Sequence, residues 1–388
     1  MSAQKLSNMC SDVPAARSVL TGHSILILSR HSEKAASSRL RTHQFIPYLE
    51  SAGATVTVAP FFDERYLNHL YDSNGKRKLW DILKAYWKRA SRLFKVRNFS
   101  VVWVEKELFP YLPAPFEAVL LFCGVRWVVD FDDAIFHTYD QHRSWIIRAL
   151  LTNKLLPLLR GAQIVIVGNE YLEEKIRILG AQNTLKIPTV VDTDRYSVGL
   201  ETYKSGVKEF RIGWIGTPET SKYLEGIIKP LLAVSKHISI RLITIGARRM
   251  PGSEIPIEQH EWSLEAETKL ISTFDVGIMP LPDAPWERGK CGYKLIQYMA
   301  AGKPVIASPV GENKRIVVPK VGFLARNDQE WQDAITSLAI DRPMREEFGA
   351  YARRYVKRNY SLASAAPQII QLFENIVTQR TTSISEKS

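Results

Sequence analysis

The stretch EFRIGWIGTPETSKYLEGI, Glu209 to Ile227, decides the reading of the fold. Its run RIGWI has the make-up of a strand buried on both faces, and it breaks at Gly216, Thr217 and Pro218 into a segment with helical spacing. A buried strand that hands the chain to a helix is the repeating unit of a parallel sheet, and the junction is also where anions bind. Gly216 has no side chain to hold a ligand off the backbone. Thr217 suits the cap, and Pro218 suits the first helical position, where its missing N–H has no partner. The free amides and helix dipole that follow favour negative charge, and Lys222 adds a mobile cation. An ordinary capped helix with a solvated lysine reads equally well from these residues, and Glu219 competes with an anion for the same amides. The pattern is no P-loop, because G-x-x-x-x-G-K-[ST] is absent.

Outward from this junction the alternation continues. SIRLITIG, DVGIMPL and KPVIASPVG read as strands, with helical stretches in SKYLEGIIKPLLAVSKH, AETKLISTF and GYKLIQYMAAG. Upstream the same pattern appears with different residues: SILILS, TVTVAP, SVVWVE, RWVVDF and QIVIVGN are strand-like, separated by helical segments. The expected architecture is α/β, two Rossmann-like doubly wound parallel-sheet domains facing across a cleft, since ligands of open α/β sheets bind at strand carboxyl ends. The expected organisation is a polar N-terminal extension over 1–23, a first domain over 24–200 and a second over 201–365. A C-terminal helix over 366–380 is expected to pack back toward the first domain, ahead of a disordered tail over 381–388.

A chain of 388 residues exceeds one ordinary core, which agrees with two domains. The net charge of +12 favours an anionic partner and leaves nucleotide, nucleic acid and membrane surface open. Cys10, Cys123 and Cys291 are scattered, without CxxC or zinc spacing, which argues for a reducing compartment and against a structural metal or disulfide framework. The opening MSAQKLSNMCSDVPAARSVLTG lacks a continuous apolar run, and nowhere do eighteen apolar residues follow one another. A cytosolic chain that does not span a bilayer is expected.

A second junction lies in PLPDAPWERGKCGYKLIQYMAAGKPVIASPVG, Pro280 to Gly311. A polar loop containing Arg288, Gly289 and Lys290 enters a helix near Gly292. Helical spacing puts Lys294 and Gln297 on one face and Leu295 and Met299 on an apolar one. A short helix with two lysines at its leading end suits a diphosphate; a surface basic loop is the alternative.

IGWIGTPETSKYL and GKCGYKLIQYMAAGKPVIASPVGEN resemble the donor-domain motifs of the group 1 glycosyltransferases, a retaining nucleotide-sugar family with the two-domain GT-B fold. VDFDDAIF and IPTVVDTDRY are similar to stretches in members of that family, so that the resemblance runs in order from Ser24 to Pro367. It implies a donor diphosphate clasped by a basic residue after the glycine and a lysine five positions on; Thr217 stands in the first place and Lys222 in the second. The family's E-x7-E motif falls on Gly289 and Gln297, so both acids are absent. The resemblance then implies donor contacts from Gly216, Thr217, Lys222, Lys290, Lys294 and Gln297. Gln297 retains neutral hydrogen bonds to ribose hydroxyls, and Arg288 adds positive charge. Lys222, Lys294, Glu287 and Asp133 are the expected catalytic set, with Glu287 reaching the sugar. Sugar transfer with retention follows, to a glycan or lipid-linked acceptor in cell-surface polysaccharide or glycolipid synthesis. The nucleotide diphosphate sugar is a co-substrate, with no cofactor and no divalent ion, because basic groups stabilise the leaving diphosphate.

In DFDDAIFH, Asp130, Asp132 and Asp133 follow a strand and could bind a metal, act as acid and base, or orient an acceptor hydroxyl. Arg39 and Arg41, after the first strand, face either the acceptor side of the cleft or a solvated helix side. His137 joins this acceptor group, though it also reads as a polar loop residue. KRKLWDILKAYWKRASRLFKVRNF, Lys76 to Phe99, has nine basic residues and one acid. Leu79, Ile82, Leu83, Tyr86, Ala90, Leu93 and Phe94 recur at helical spacing, as if to pack on the sheet. Trp80 and Trp87, with Lys84 and Lys88, suit a helix lying on an anionic membrane. Nucleic acid is not expected, because no recognition module accompanies the charge. Two rivals remain: a degenerate GT-B protein that binds glycan or membrane, and a dinucleotide-dependent oxidoreductase or epimerase. The latter needs G-x-G-x-x-G after the first strand, where SRHSEKAASS has no glycine.

Overall fold

The computed structural model describes residues 19–64, 79–196, 209–248 and 254–385, with side chains as far as 378. The N-terminal extension up to residue 18, Lys76, the boundary expected at 200/201 and the last three residues of the tail lie outside the described residues. Strands β1 (Ser24–Leu28), β2 (Thr55–Val58), β3 (Val101–Glu105), β4 (Arg126–Phe131), β5 (Ile164–Val167) and β6 (Thr184–Lys186) form one sheet, in the order β2-β1-β3-β4-β5-β6. Strands β7 (Phe210–Ile215), β8 (Ile240–Ile245), β9 (Ile257–His260), β10 (Val276–Met279), β11 (Val305–Ala307) and β12 (Gly322–Leu324) form the other, in the order β12-β11-β10-β7-β8-β9. Every pairing in both sheets is parallel.

The apolar runs give this arrangement because helices cover both faces. Every residue of β3 and of β10 is buried, as central strands of a doubly covered sheet must be. Among the covering helices are α1 (Ala36–Arg41), α2 (Leu79–Leu93), α3 (Trp145–Leu151), α4 (Glu170–Ile178), α5 (Ile228–Ser235), α6 (Tyr293–Ala300) and α7 (Leu362–Ser385). The last of these leaves the second half and packs on the first sheet. Ile369, Phe373 and Ile376 join Ile25, Phe45 and Trp103 in one core cluster, with the Phe373 and Trp103 rings 5.2 Å apart.

The structure corrects four readings. The segment after Gly216 is not an α-helix at once. The Thr217 amide donates to Thr220 Oγ1 at 3.0 Å, and the Thr220 and Ser221 amides turn back to the Thr217 carbonyl. This side-chain bond competes with the helical ladder, so a 3-10 turn occupies Ser221–Ile227 and α5 starts only at Ile228. Second, α2 fully buries only Ala85, Arg89 and Leu93, while Leu79, Leu83 and Phe94 are exposed. Third, Leu20 is fully buried against the first sheet rather than lying in a polar extension. Fourth, the helical ladder of α7 runs on to Ser385, through five residues expected as a disordered tail.

Candidate active site

In each sheet the strand order reverses once, between β1 and β3 in the first and between β7 and β10 in the second, and such switch points open a crevice at the strand carboxyl ends. The chain loads both crevices with charge.

On the first rim the loop after β1 meets the ends of β3 and β4. Glu105 accepts from Ser37 and Ser38 hydroxyls at 3.1 and 2.6 Å and from the Arg30 amide at 2.8 Å. Beside it, Lys106 stands in the left-handed region with φ of 67°, a conformation that costs a side-chain-bearing residue strain and clusters at functional sites. Its ammonium lies 2.8 Å from Asp132, 2.9 Å from Ser37 Oγ and 4.0 Å from Asp133. Burial opposes the Asp132 carboxylate most, but Lys106, Arg41 and the Ser37 hydroxyl together hold the pKa below the ordinary value. At Asp133 burial wins over the pull of Lys290, and the pKa lies above the ordinary value. Lys106 is the residue that sequence reasoning missed; only its place between Glu105 and Glu107 hinted at a charged strand end.

Asp130 and Arg41, expected at the acceptor, are instead buried beneath this rim. Arg41 Nε donates to Asp130 Oδ1 at 2.8 Å, and its Nη1 donates to the Ile187 carbonyl at 3.0 Å. Burial still lifts Asp130 to about 6. His137 is also committed within the first half, 2.9 Å from Asp140 and 2.8 Å from the Tyr171 hydroxyl. Arg39 remains at the rim: its guanidinium lies over the Trp262 ring of the second half at 5.4 Å, and its Nε has no partner.

On the second rim the two junctions meet at Trp214. A Cβ on Gly216 would fall 2.4 Å from the Trp214 ring, so only glycine lets this turn sit there. The Lys294 ammonium lies over the same ring at 4.3 Å, and no carboxylate pairs with it among the described residues. Burial and then the neighbouring Lys290 push its pKa down to about 7. Lys222 is exposed, with its ammonium 5.3 Å from the Tyr223 ring, and the Tyr223 hydroxyl donates to Glu287. Gln297, expected at the ribose, is only 3% exposed and donates to the Tyr196 hydroxyl at 3.1 Å. Arg288 is exposed and paired with Asp283 at 2.6 Å.

The two rims touch through the loop that leads into α6. Asn169 caps α4 with its Oδ1 and uses its Nδ2 to reach the Gly289 and Lys290 carbonyls at 3.0 and 3.2 Å. The Cys291 thiol donates to the Asp132 carbonyl at 3.0 Å. This docking places the Lys290 ammonium 3.9 Å from Asp133. Of the expected donor-side lysines, Lys290 is the one that meets the Asp132–Asp133 rim, while Lys294 lies over Trp214 and Lys222 beside Tyr223. Trp80, Trp87, Lys84 and Lys88 lie elsewhere, exposed on α2.

Residues 209–341 match the family model described as Glycosyl transferases group 1. An uncharacterized glycosyltransferase of Methanocaldococcus jannaschii is 21% identical over 274 residues, 66% of this chain; the chain spans about 60% of the length of that curated relative. The structure of Anabaena HepE in complex with UDP and glucose superposes with a TM-score of 0.67 at 15% identity, over 90% of this chain and 98% of that one. Sucrose-phosphate synthase from Thermosynechococcus elongatus superposes with a TM-score of 0.65 at 16% identity, over 92% of this chain and 100% of that one. At these identities the two structures establish a shared fold, the two-domain GT-B arrangement.

Proposed function

From a chain whose residues 209–341 belong to the group 1 glycosyltransferases and whose two sheets form a GT-B fold, we propose a retaining transferase that moves a sugar from a nucleotide diphosphate sugar to a hydroxyl. The acceptor is a glycan or a lipid-linked glycan, in the building of cell-surface polysaccharide or glycolipid. One observation carries this reading: the Lys294 ammonium sits at the cleft, partly desolvated over Trp214 and without a carboxylate, beside Lys290. A cation kept out of water without a partner is costly, and a diphosphate removes that cost.

The Gly216 and Thr217 amides, expected at the diphosphate, are taken up by the Ile245 carbonyl and Thr220 Oγ1, so in this reading Lys222, Lys290 and Lys294 carry the task of neutralising the charge that grows as the glycosidic bond breaks. Glu287, held by Tyr223, addresses sugar hydroxyls, and Asp133 orients the acceptor hydroxyl from the opposite rim. Fixed ammonium groups do the work a metal ion does elsewhere, so turnover is expected to be unchanged in excess chelator.

The bound UDP of the Anabaena structure makes uridine the first nucleotide to try. A thermal-shift screen against UDP-, GDP-, ADP- and CDP-sugars should single out one nucleotide, since a ligand of the native state raises its melting temperature. Nucleotide release with the selected sugar should follow. Stabilisation by none of the four would sink the proposal. A second reading, a GT-B protein that binds sugar nucleotide or glycan without turnover, is favoured by the two missing motif acids and the sequestered Gln297. Stabilisation without nucleotide release in the presence of acceptor glycans would select it.

A further inference from the structure

We infer that the outer face of α2, continued by residues 116–122 and by α3, docks on an anionic phospholipid bilayer, with a lipid phosphate seated in the basic groove beside α2. A helix covering a sheet normally turns its apolar stripe inward. Here the stripe turned outward is the more aromatic one: Trp80 is 82% exposed, Trp87 76% and Phe94 88%. Leu83 and Trp87 fall three and seven residues from Trp80, which puts these three on one line along the helix, and Phe94 follows directly after its end.

The apolar surface continues beyond α2. Arg97 donates to the Cys123 and Phe122 carbonyls at 2.9 and 3.1 Å, which sets Phe122, 79% exposed, beside the end of the helix. Tyr86 of α2 stacks on Phe109, and Phe109 meets Phe116 edge-on. Lys154, just past α3, is bound to the Phe109 carbonyl at 2.8 Å and to Glu117 at 3.0 Å, which brings α3 alongside with Trp145, Ile146 and Leu150 exposed. Soluble surfaces rarely carry so large an uncovered aromatic area.

Charge selects the occupant. Between α2 and the end of β2 lies a cavity of about 440 Å³ with Lys88, Arg89, Arg92 and Lys95 in its wall and, among the described residues, Asp63 as its one acid. Asp63 is paired with Lys88 at 2.9 Å. Arg89 is 97% buried; its Nη2 donates to the Ser29 carbonyl at 2.7 Å, and its Nη1 has no partner. Cations around a hollow floored by Val58, Ala59 and Pro60, next to tryptophans, match the phosphate and interfacial layers of an anionic leaflet. A second copy of the chain fits poorly, since Lys84, Lys88 and Lys95 would be buried against their own kind.

The face also reaches the cleft. Helix α2 feeds β3 and runs against it, so its first turn, with Trp80, lies on the side of the strand carboxyl ends; α3 follows the carboxyl end of β4. A lipid-linked acceptor could pass from the leaflet to that rim. Only this last step rests on the proposed function, while docking itself does not.

The test is flotation of the full chain with vesicles of phosphatidylcholine alone or with about one third phosphatidylglycerol, in moderate salt. Binding only to the anionic vesicles is expected. Two double variants, Trp80→Ser with Trp87→Ser and Arg92→Glu with Lys95→Glu, should each lower the partition coefficient at least about tenfold. Their melting temperatures should stay within a few degrees of the parent. No flotation, equal flotation on both vesicle types, or full binding by both double variants would overturn the inference. So would a concentration-dependent dimer that Trp80→Ser with Trp87→Ser abolishes. Nucleotide-induced thermal shifts on the same samples report separately on the transferase reading.

Discussion

At the scale of single residues, Lys294 makes the clearest commitment. With a pKa near 7 it is mostly charged at pH 6 and mostly neutral at pH 8. A diphosphate needs the charged form, so affinity for the selected nucleotide should fall as pH rises through 7, by up to about tenfold per unit. Calorimetric titration between pH 6 and 8.5 measures it, and Lys294→Met should weaken binding at pH 6 and flatten the profile. The same group acts on folding in the opposite sense. The unfolded chain holds this proton up to 10.5, so between about 7 and 10.5 the unfolded state binds more protons and the stability contribution rises with pH. The buried Arg41–Asp130 pair offers a different measurement. Arg41→Met leaves a carboxylate without its partner and should cost roughly 3–5 kcal/mol, read as a large fall in melting temperature. The expectation at Lys294 comes from its local spacing to Gly292 and Lys290. Lys106 could not be singled out that way, because its placement comes from a left-handed backbone and from Asp132, just past the end of the neighbouring strand. Arg41 and Asp130 were legible as charges but not as a buried pair, since burial there depends on Ile187 and Thr189, far along the chain.

At the scale of elements, the loop from Gly289 to Cys291 is the piece that joins the halves. Gly289 has an ordinary backbone angle near −76°, so alanine would suit its own half. Its Cβ, however, would fall 2.5 Å from the Ala134 Cβ of the other half. Gly168 mirrors this, with an added Cβ 2.3 Å from Cys291 Sγ. Either substitution should push the halves apart and draw Lys290 away from Asp133. Nucleotide affinity, which the proposed function assigns to the second half, should change less than about twofold, while turnover should drop at least about tenfold. Gly168→Ala combined with Cys291→Ala removes the obstructing sulfur and should recover much of the loss, a coupling that a double-mutant cycle reads directly. Additive losses would mean that the joint does not act as one unit. Elements of this kind are where sequence reading was weakest. TLK, IEQH and GFL form the edge strands β6, β9 and β12, too short and too mixed for any period to show. The turn after Gly216 looked like a helix start, because nothing in its spacing revealed that Thr220 would capture the Thr217 amide.

At the scale of the whole molecule, the two-sheet plan was legible because its central strands are continuous apolar runs separated by helical periods. The interlock of the halves was not, because it depends on which surfaces meet. Helix α7, expected from the sequence to pack back toward the first domain, begins beside the second half, where Ser361 bridges Val191, and then covers the outer face of the first sheet. Leu362, Ile369, Leu372, Phe373, Ile376 and Val377 are all buried there. At roughly 1.5–3 kcal/mol for each such side chain, the helix contributes about as much as the ~5–15 kcal/mol by which a domain is stable. The first half should therefore not fold without the last part of the chain. The second half keeps its own two core clusters when α7 is removed, apart from Val191 and Tyr196 at their edge. A chain ending at residue 361 should show one melting transition of about half the parent's enthalpy, and the selected nucleotide should still raise it. Phe373→Ala in the full chain should cost about 3–5 kcal/mol and split a single transition into two, of which only the upper responds to nucleotide. A truncated chain that melts as the parent does, or one that loses the nucleotide response altogether, would show that the halves do not divide their stability in this way.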